Sequence, residues 1–245
     1  LSRPINLFLL GIHINTLLAR ISRKQLLMKF RTELLNQQDL KGILQVALNT
    51  LRNHPKIGYH RATISLVTSK EERMERYLLQ HDDAKTTNDN KIIRRDLQKP
   101  IMDDPLMQRV CEKGTFIISD LNTLRKDQDK RNKLDEWGWD EKNFSTQEVN
   151  SWIGLAAKHE CETIAVFTLD SDSPNNYDYK DEHLYEYLES FGQAFADRVY
   201  SYFVKRNYTV LKNIMERIGD KLDYINLIDT ILVNIRDELK CEECA

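Results

Sequence analysis

The chain changes its hydrophobic period twice. Over residues 5–35 apolar side chains recur every three or four positions, at Leu17, Leu18, Ile21, Leu26, Leu27, Phe30, Leu34 and Leu35. That spacing lines one face of a helix. Asp39 is placed to cap a second helix that carries Ile43, Leu44, Ala47, Leu48 and Leu51 on one side, and His54-Pro55 and Gly58 stop it. The period then falls to two. Ala62–Val67 predicts a strand, Met74–Gln80 its hairpin partner across Ser69–Glu72, and Lys91–Leu97 a third strand beyond the polar loop His81–Asn90. Pro105 marks a helix start and Gly114 its end, and Thr115–Ser119 is a short apolar strand. Ser151–Ala157 and Thr163–Leu169 are two further strands around the turn Lys158–Glu162. From Asp181 to Lys240 the helical period returns through Leu184, Leu188, Phe191, Phe195, Val199, Tyr202, Leu211, Ile214 and Ile218. Between the strands, Asp120–Asn150 is a long polar stretch of the kind that forms a lid or a disordered loop. The expected core contains Ile64, Leu66, Ile117, Ile153, Leu155, Ile164, Val166 and Phe167.

Composition sharpens this picture. With 41% hydrophobic and 30% charged residues among 245, the chain is globular, and only 8 Gly and 5 Pro favour long helices. A net charge of -2 with interspersed signs gives no footing for nucleic acid. The apolar run Ile5–Leu18 is interrupted by Asn6, His13 and Asn15 and falls short of the roughly 20 residues of a membrane span, so direct membrane insertion is not expected. Four scattered cysteines fit a reducing cytoplasm rather than a disulfide framework. Cys241-x-x-Cys244 has half the spacing of a zinc site, but no second pair exists, so no metal is expected. The absence of an initial Met and an end in mid-pattern suggest a piece of a longer protein.

The two ends of the chain echo each other at an offset of 184: Leu27, Phe30 and Leu34 fall on Leu211, Ile214 and Ile218, Asp39 on Asp223, and Leu51-Arg52 on Ile235-Arg236. The expectation is that the tail begins a second copy of the first domain.

Three segments resemble GAF domains: Asp39-Leu40-Lys41-Gly42-Ile43-Leu44 the leading helix, Gly114–Leu121 the pocket strand and its turn, and Ser151–Ala157 through Ile164–Phe167 to Tyr177 and Asp181-Glu182 the last hairpin and exit helix. The resemblance spans about residues 24–205. It implies an α/β (α+β) fold: a GAF-like antiparallel sheet with helices on one face, a ligand pocket under a lid on the other, and long amphipathic signalling helices flanking it. The implied division is a linker helix at 1–35, a GAF-like sensor at 36–206, and a connecting helix with the truncated start of a second such domain at 207–245. The implied function is small-molecule sensing in signal transduction, coupled to an output domain outside this chain; the alternative is a structural dimerisation module with a collapsed pocket. The implied partners are an unidentified small molecule and a second copy, as a homodimer through the flanking helices.

Departures narrow the ligand. The cyclic-nucleotide pattern is met only in Tyr177-x-x-x-Asp181-Glu182, with no Asn-Lys at the end of the preceding strand, and residues 120–150 hold no cysteine for a bilin. The cofactor stays unknown. Reductases of this fold use clustered cysteines, whereas Cys111 falls on a helix and Cys161 in a turn, so no enzyme is expected. Candidate ligand residues are Asp120, Trp137, Trp139, Ser151, Ile153, Leu155 and Phe167. The helix cap is the favoured role for Asp120, and anchoring the lid the favoured role for the two indoles. For the strand Ser151–Ala157 the odd-numbered positions are expected to face the pocket.

Overall fold

A computed structural model describes residues 21–68, 73–80, 92–100, 104–126, 132, 134–137, 139, 149–218 and 224–239. The expectations for residues 1–20, for the loops 69–72 and 81–91, for residues 140–148 and for Cys241 and Cys244 lie outside them. Residues 21–35 form helix α1. It is followed by α2 (Leu40–Arg52), β1 (Arg61–Thr68), β2 (Arg73–Gln80), β3 (Ile92–Pro100), α3 (Pro105–Lys113), β4 (Thr115–Ile118), α4 (Leu121–Lys126), β5 (Ser151–His159), β6 (Glu162–Ser171), α5 (Glu182–Ile218) and α6 (Tyr224–Leu239). The local signals act as written in the sequence. Asp39 accepts from the Gly42 amide at 2.6 Å to cap α2, Asp104 accepts from the Met107 amide to cap α3 ahead of Pro105, and Gly114 ends α3 with a positive φ of 78°.

The six strands form one antiparallel sheet in the order β3-β2-β1-β6-β5-β4, and the fold is α+β. Helices α1, α2 and α5 cover one face. Their core is built on Ile43, Leu44, Ala47, Leu48 and Leu51 of α2, Phe191, Phe195 and Val199 of α5, and Ile64, Ile153, Leu155, Phe167 and Leu169 of the sheet. Phe191 stacks on Phe30 of α1 at 4.4 Å and meets Phe167 edge-on at 5.6 Å, so one side chain ties two helices to the sheet. Helices α1 and α5 lie side by side in the same direction: Arg23 pairs with Glu186, and Arg198 donates to the carbonyls of Leu34 and Gln37. The second face carries a separate core of Leu106, Met107 and Val110 of α3, Leu121 of α4, Leu134, Trp139 and Val149, packed on Phe116, Ile118, Trp152, Ala156 and Val166. Of the expected core, Ile164 is only partly buried, packed against the helix-side cluster. Among the described residues no helix is long and apolar enough to cross a membrane.

The α2–β1 connection and the start of α5 are held together by polar contacts. Lys56 Nζ donates to Asp181 Oδ2 at 2.5 Å, and Asp181 Oδ1 accepts from the amides of His183 and Leu184 to cap α5. Beside them His54 lies 4.2 Å from the Tyr187 ring and accepts from the Lys56 amide. Burial, reinforced by the Lys56 charge and opposed by Asp181, pulls the His54 pKa down to about 4. The folded state therefore keeps this imidazole neutral where the unfolded chain takes up a proton. The contribution is intact above pH about 6.5 and is lost as pH falls toward 4. Acidification across that window is expected to cost roughly 1–2 kcal/mol once solvent screening of the Lys56 and Asp181 charges is discounted. Thermal melts at stepped pH should show the loss in the parent chain and a flatter profile in His54→Gln; equal slopes would refute the assignment.

Candidate functional site

The sheet face away from α1, α2 and α5 has two parts. The β4–β5 end is aromatic. Phe116 meets Trp137 edge-on at 5.2 Å and Trp152 at 6.3 Å, and Trp139 meets Trp152 edge-on at 5.9 Å. The Arg109 guanidinium, from α3, lies 5.6 Å from the ring centres of both Phe116 and Trp137, a cation–π bridge that fastens the 134–139 segment to α3. Gly154 makes room for the Trp152 indole: a Cβ there would sit 2.4 Å from Val110 Cγ2 and 2.5 Å from Trp152 Cη2.

The β6–β1 part is polar. Arg61 lies opposite Asp170, Thr63 opposite Thr168, and Ser65 opposite Val166. Arg61 Nε donates to Asp170 Oδ2 at 2.5 Å, and the threonine hydroxyls are 2.5 Å apart. Ser65 and Asp170 are buried, while Thr63, Thr168 and Val67 remain half-exposed. Burial drives the Asp170 pKa up more strongly than the Arg61 charge and hydrogen bond pull it down. Asp170 Oδ1 and the Nε1 of Trp152, its cross-strand neighbour on β5, are buried without a hydrogen-bond partner among the described residues. Unpaired polar atoms in an interior are costly and uncommon.

The geometry joins this face to α5. Asp120 Oδ1 accepts from the Thr123 amide and Oδ2 from the Thr123 hydroxyl at 2.6 Å, which caps α4 and holds the carboxyl below its usual range. The preceding Ser119 accepts at its carbonyl from the Asn175 amide at 2.7 Å and at its hydroxyl from the Tyr179 amide at 3.1 Å. Tyr177 is fully buried and donates to the Gly58 carbonyl. The start of α4 and the approach to α5 are thus hydrogen-bonded to each other.

No protein-family model matches the chain, and no curated protein does. Solved structures match well. The GAF domain of an Acinetobacter phosphoenolpyruvate-protein phosphotransferase superposes with a TM-score of 0.51 at 9% identity, covering 75% of this chain and 95% of that one. The photosensory core module of the Stigmatella aurantiaca phytochrome gives 0.52 at 12% identity, covering 89% of this chain and 45% of its own length. A bacteriophytochrome from the photosynthetic bacterium R. palustris gives 0.53 at 11% identity, with 87% and 45% covered. The fold is GAF-like.

Within this GAF-like fold the sequence-derived candidates divide. Trp137 and Trp139 lie on the aromatic part of the face turned from the helices, Trp139 buried and Trp137 half-buried. Asp120 caps α4. Ile153, Leu155 and Phe167 face the other way, into the core with α2 and α5, and Ser151 begins the same parity, its Oγ donating to the Ser173 carbonyl. The expectation that the odd positions of β5 line the face opposite the helices is therefore corrected: the even positions Trp152, Gly154 and Ala156 do. Both parities of β5 are buried, so hydropathy alone does not distinguish them. The polar row was missed, although its signal is present. Arg61, Thr63 and Ser65 alternate with Ala62, Ile64 and Leu66 on β1, and Thr168 and Asp170 flank Leu169 on β6. Gly154→Ala is expected to cost roughly 1–3 kcal/mol by overpacking, seen as a lower urea midpoint with Trp fluorescence as the probe; an unchanged midpoint would show that Trp152 does not need that space.

Proposed function

We propose that the chain is the sensor domain of a signal-transduction protein, which holds a small molecule against the polar part of this sheet face and passes its occupancy to α5. One observation carries the reading. A face that served only as core would be apolar along β1 and β6, as the opposite face is; this one places Arg61, Thr63, Ser65, Thr168 and Asp170 in a row, with buried atoms left without a partner among the described residues. The relay is Ser119: a ligand that reorders α4 shifts its contacts to Asn175 and Tyr179, and with them the cap of α5. The reading assigns no catalytic step. Cys111 is half-buried on α3 and Cys161 is exposed in the β5–β6 turn.

A specific observation favours the second reading, a structural module. Phe116, Trp137, Trp139 and Trp152 fill the β4–β5 end and leave no room even for a methyl group at Gly154. Titration of nucleotides, amino acids and haem, read by Trp fluorescence and melting temperature, separates the two. The sensor reading expects one class to raise the melting temperature in proportion to log concentration; no response across the panel favours the structural module.

We also propose that the flanking helices pair two copies. Ile21, Met28 and Leu35 recur every seven residues on α1 and are 52%, 69% and 73% exposed, while Val204, Tyr208 and Met215 stand out on the far half of α5. Beside Leu35, a groove of about 220 Å³ lies between α1 and α5, lined by Leu34, Ala194, Asp197, Arg198 and others. The helix α6 starts 184 residues after α2, and its Ile228 and Leu232 are exposed where the α2 counterparts Leu44 and Leu48 are buried. This supports reading α6 as the leading helix of a second domain of the same kind. Sedimentation at tens of micromolar should give a dimer for the parent chain and a monomer for the Met28→Lys, Tyr208→Lys double variant. A monomeric parent would contradict the pairing.

A further inference from the structure

We propose that the ligand is a neutral, planar heterocycle with an amide edge, an N–H beside a C=O, and that Asp170 and Trp152 read that edge. The inference rests on the sensor reading and adds the chemical class. The two orphaned atoms are complementary in kind. Asp170 Oδ1 is an acceptor, Trp152 Nε1 is a donor, and their residues face each other across β5 and β6 on the same side of the sheet. A group with adjacent donor and acceptor satisfies both, whereas an amine satisfies only the carboxylate and an ether only the indole. A site whose own hydrogen-bonding atoms are left unpaired by an analogue rejects that analogue strongly.

Neutrality follows from charge. Arg61 is the counter-ion that the row offers, and it is already paired with Asp170 through two guanidinium nitrogens. A further ion on this buried pair would lack a partner and pay the desolvation cost. Planarity follows from the walls. Trp152 stands opposite Asp170 and is met edge-on by Trp139, both indoles buried, so a guest that reaches the two atoms enters at the half-exposed threonine pair beside Asp170 and lies flat along the strands.

The test uses uracil, hypoxanthine and lumichrome as probes, with 1,3-dimethyluracil as the analogue stripped of N–H donors, and reads affinity by Trp fluorescence and by melting-temperature shift on the whole chain. At least one N–H probe should bind and its N-methyl counterpart should bind ~10-fold or more weakly. Trp152→Phe keeps the ring and removes the donor; it should weaken that probe ~5-fold while leaving the melting temperature of the free protein within a few degrees. Asp170→Asn serves as a second variant should Trp152→Phe fail to fold: its amide oxygen can stay on Arg61 while an N–H donor replaces the free acceptor, so it should abolish the preference for N–H over N-methyl probes. Equal binding of methylated and unmethylated probes, or an undiminished affinity in Trp152→Phe, would overturn the proposal. Binding confined to a charged ligand, adenosine monophosphate or glutamate, would overturn the ligand class and leave the sensor reading standing; silence toward every ligand would take both.

Discussion

Two buried faces on the same strands constrain everything else in this molecule. A strand buried on one side alternates apolar with polar, but β5 is buried on both, and each residue commits to one core or the other by parity alone. Ile153 and Leu155 hold the helices α2 and α5; Trp152, Gly154 and Ala156 hold α3 and the 134–139 segment. A shift of one residue in the β5–β6 register would exchange the two sets, burying Trp152 against Phe191 and removing the small residues from under α3. The register is fixed by long pairing on both sides, from Ser151 opposite Ser171 to His159 opposite Glu162, and by β4 on the outer edge.

The two cores do different work. The helix-side core is the larger, and its aromatic stack of Phe30, Phe191, Phe167 and Phe195 is apolar throughout. It makes α1, α5 and the sheet one rigid unit, which a helix that transmits displacement requires. The opposite core closes over the sheet with short elements, α3 and α4, and with side chains that mix charge and aromatic surface. It packs on the sheet through Phe116, Ile118, Trp152, Ala156 and Val166, and hydrogen bonds at Ser119, Asn150 and Val149 tie its short elements to the neighbouring loops. A side closed by short elements and hydrogen-bonded to the approach to α5, beside a row of incompletely paired polar atoms, is the side on which binding a small molecule has leverage over α5.

Much of the scaffold was legible. Period changes placed every described strand within a few residues, because turn residues and capping groups such as Asp39, Asp104 and Gly114 act locally. The cap at Asp120 was legible for the same reason, whereas that at Asp181 was not singled out in the sequence. The site was less so. Which parity of β5 faces the helices depends on how β6 and β4 pair with it, a non-local fact that a doubly buried strand does not advertise. The Asp170–Arg61 pair joins positions 109 residues apart, and neither residue is unusual where it stands in the chain. What the sequence did contain was the polar alternation of β1, which reads as an ordinary solvent-facing side until the structure shows Ser65 buried on it.

Native-state hydrogen exchange tests the division into a rigid and a yielding face most directly. The account predicts that the amides of β1, β5, β6 and the first half of α5 exchange only by global unfolding, while those of α3 and α4 open at a free energy several kcal/mol lower, with the Asn175 and Tyr179 amides following α4 because they bond to Ser119. Uniform protection across α3, α4 and α5, or Asn175 and Tyr179 exchanging with the rigid set, would contradict it.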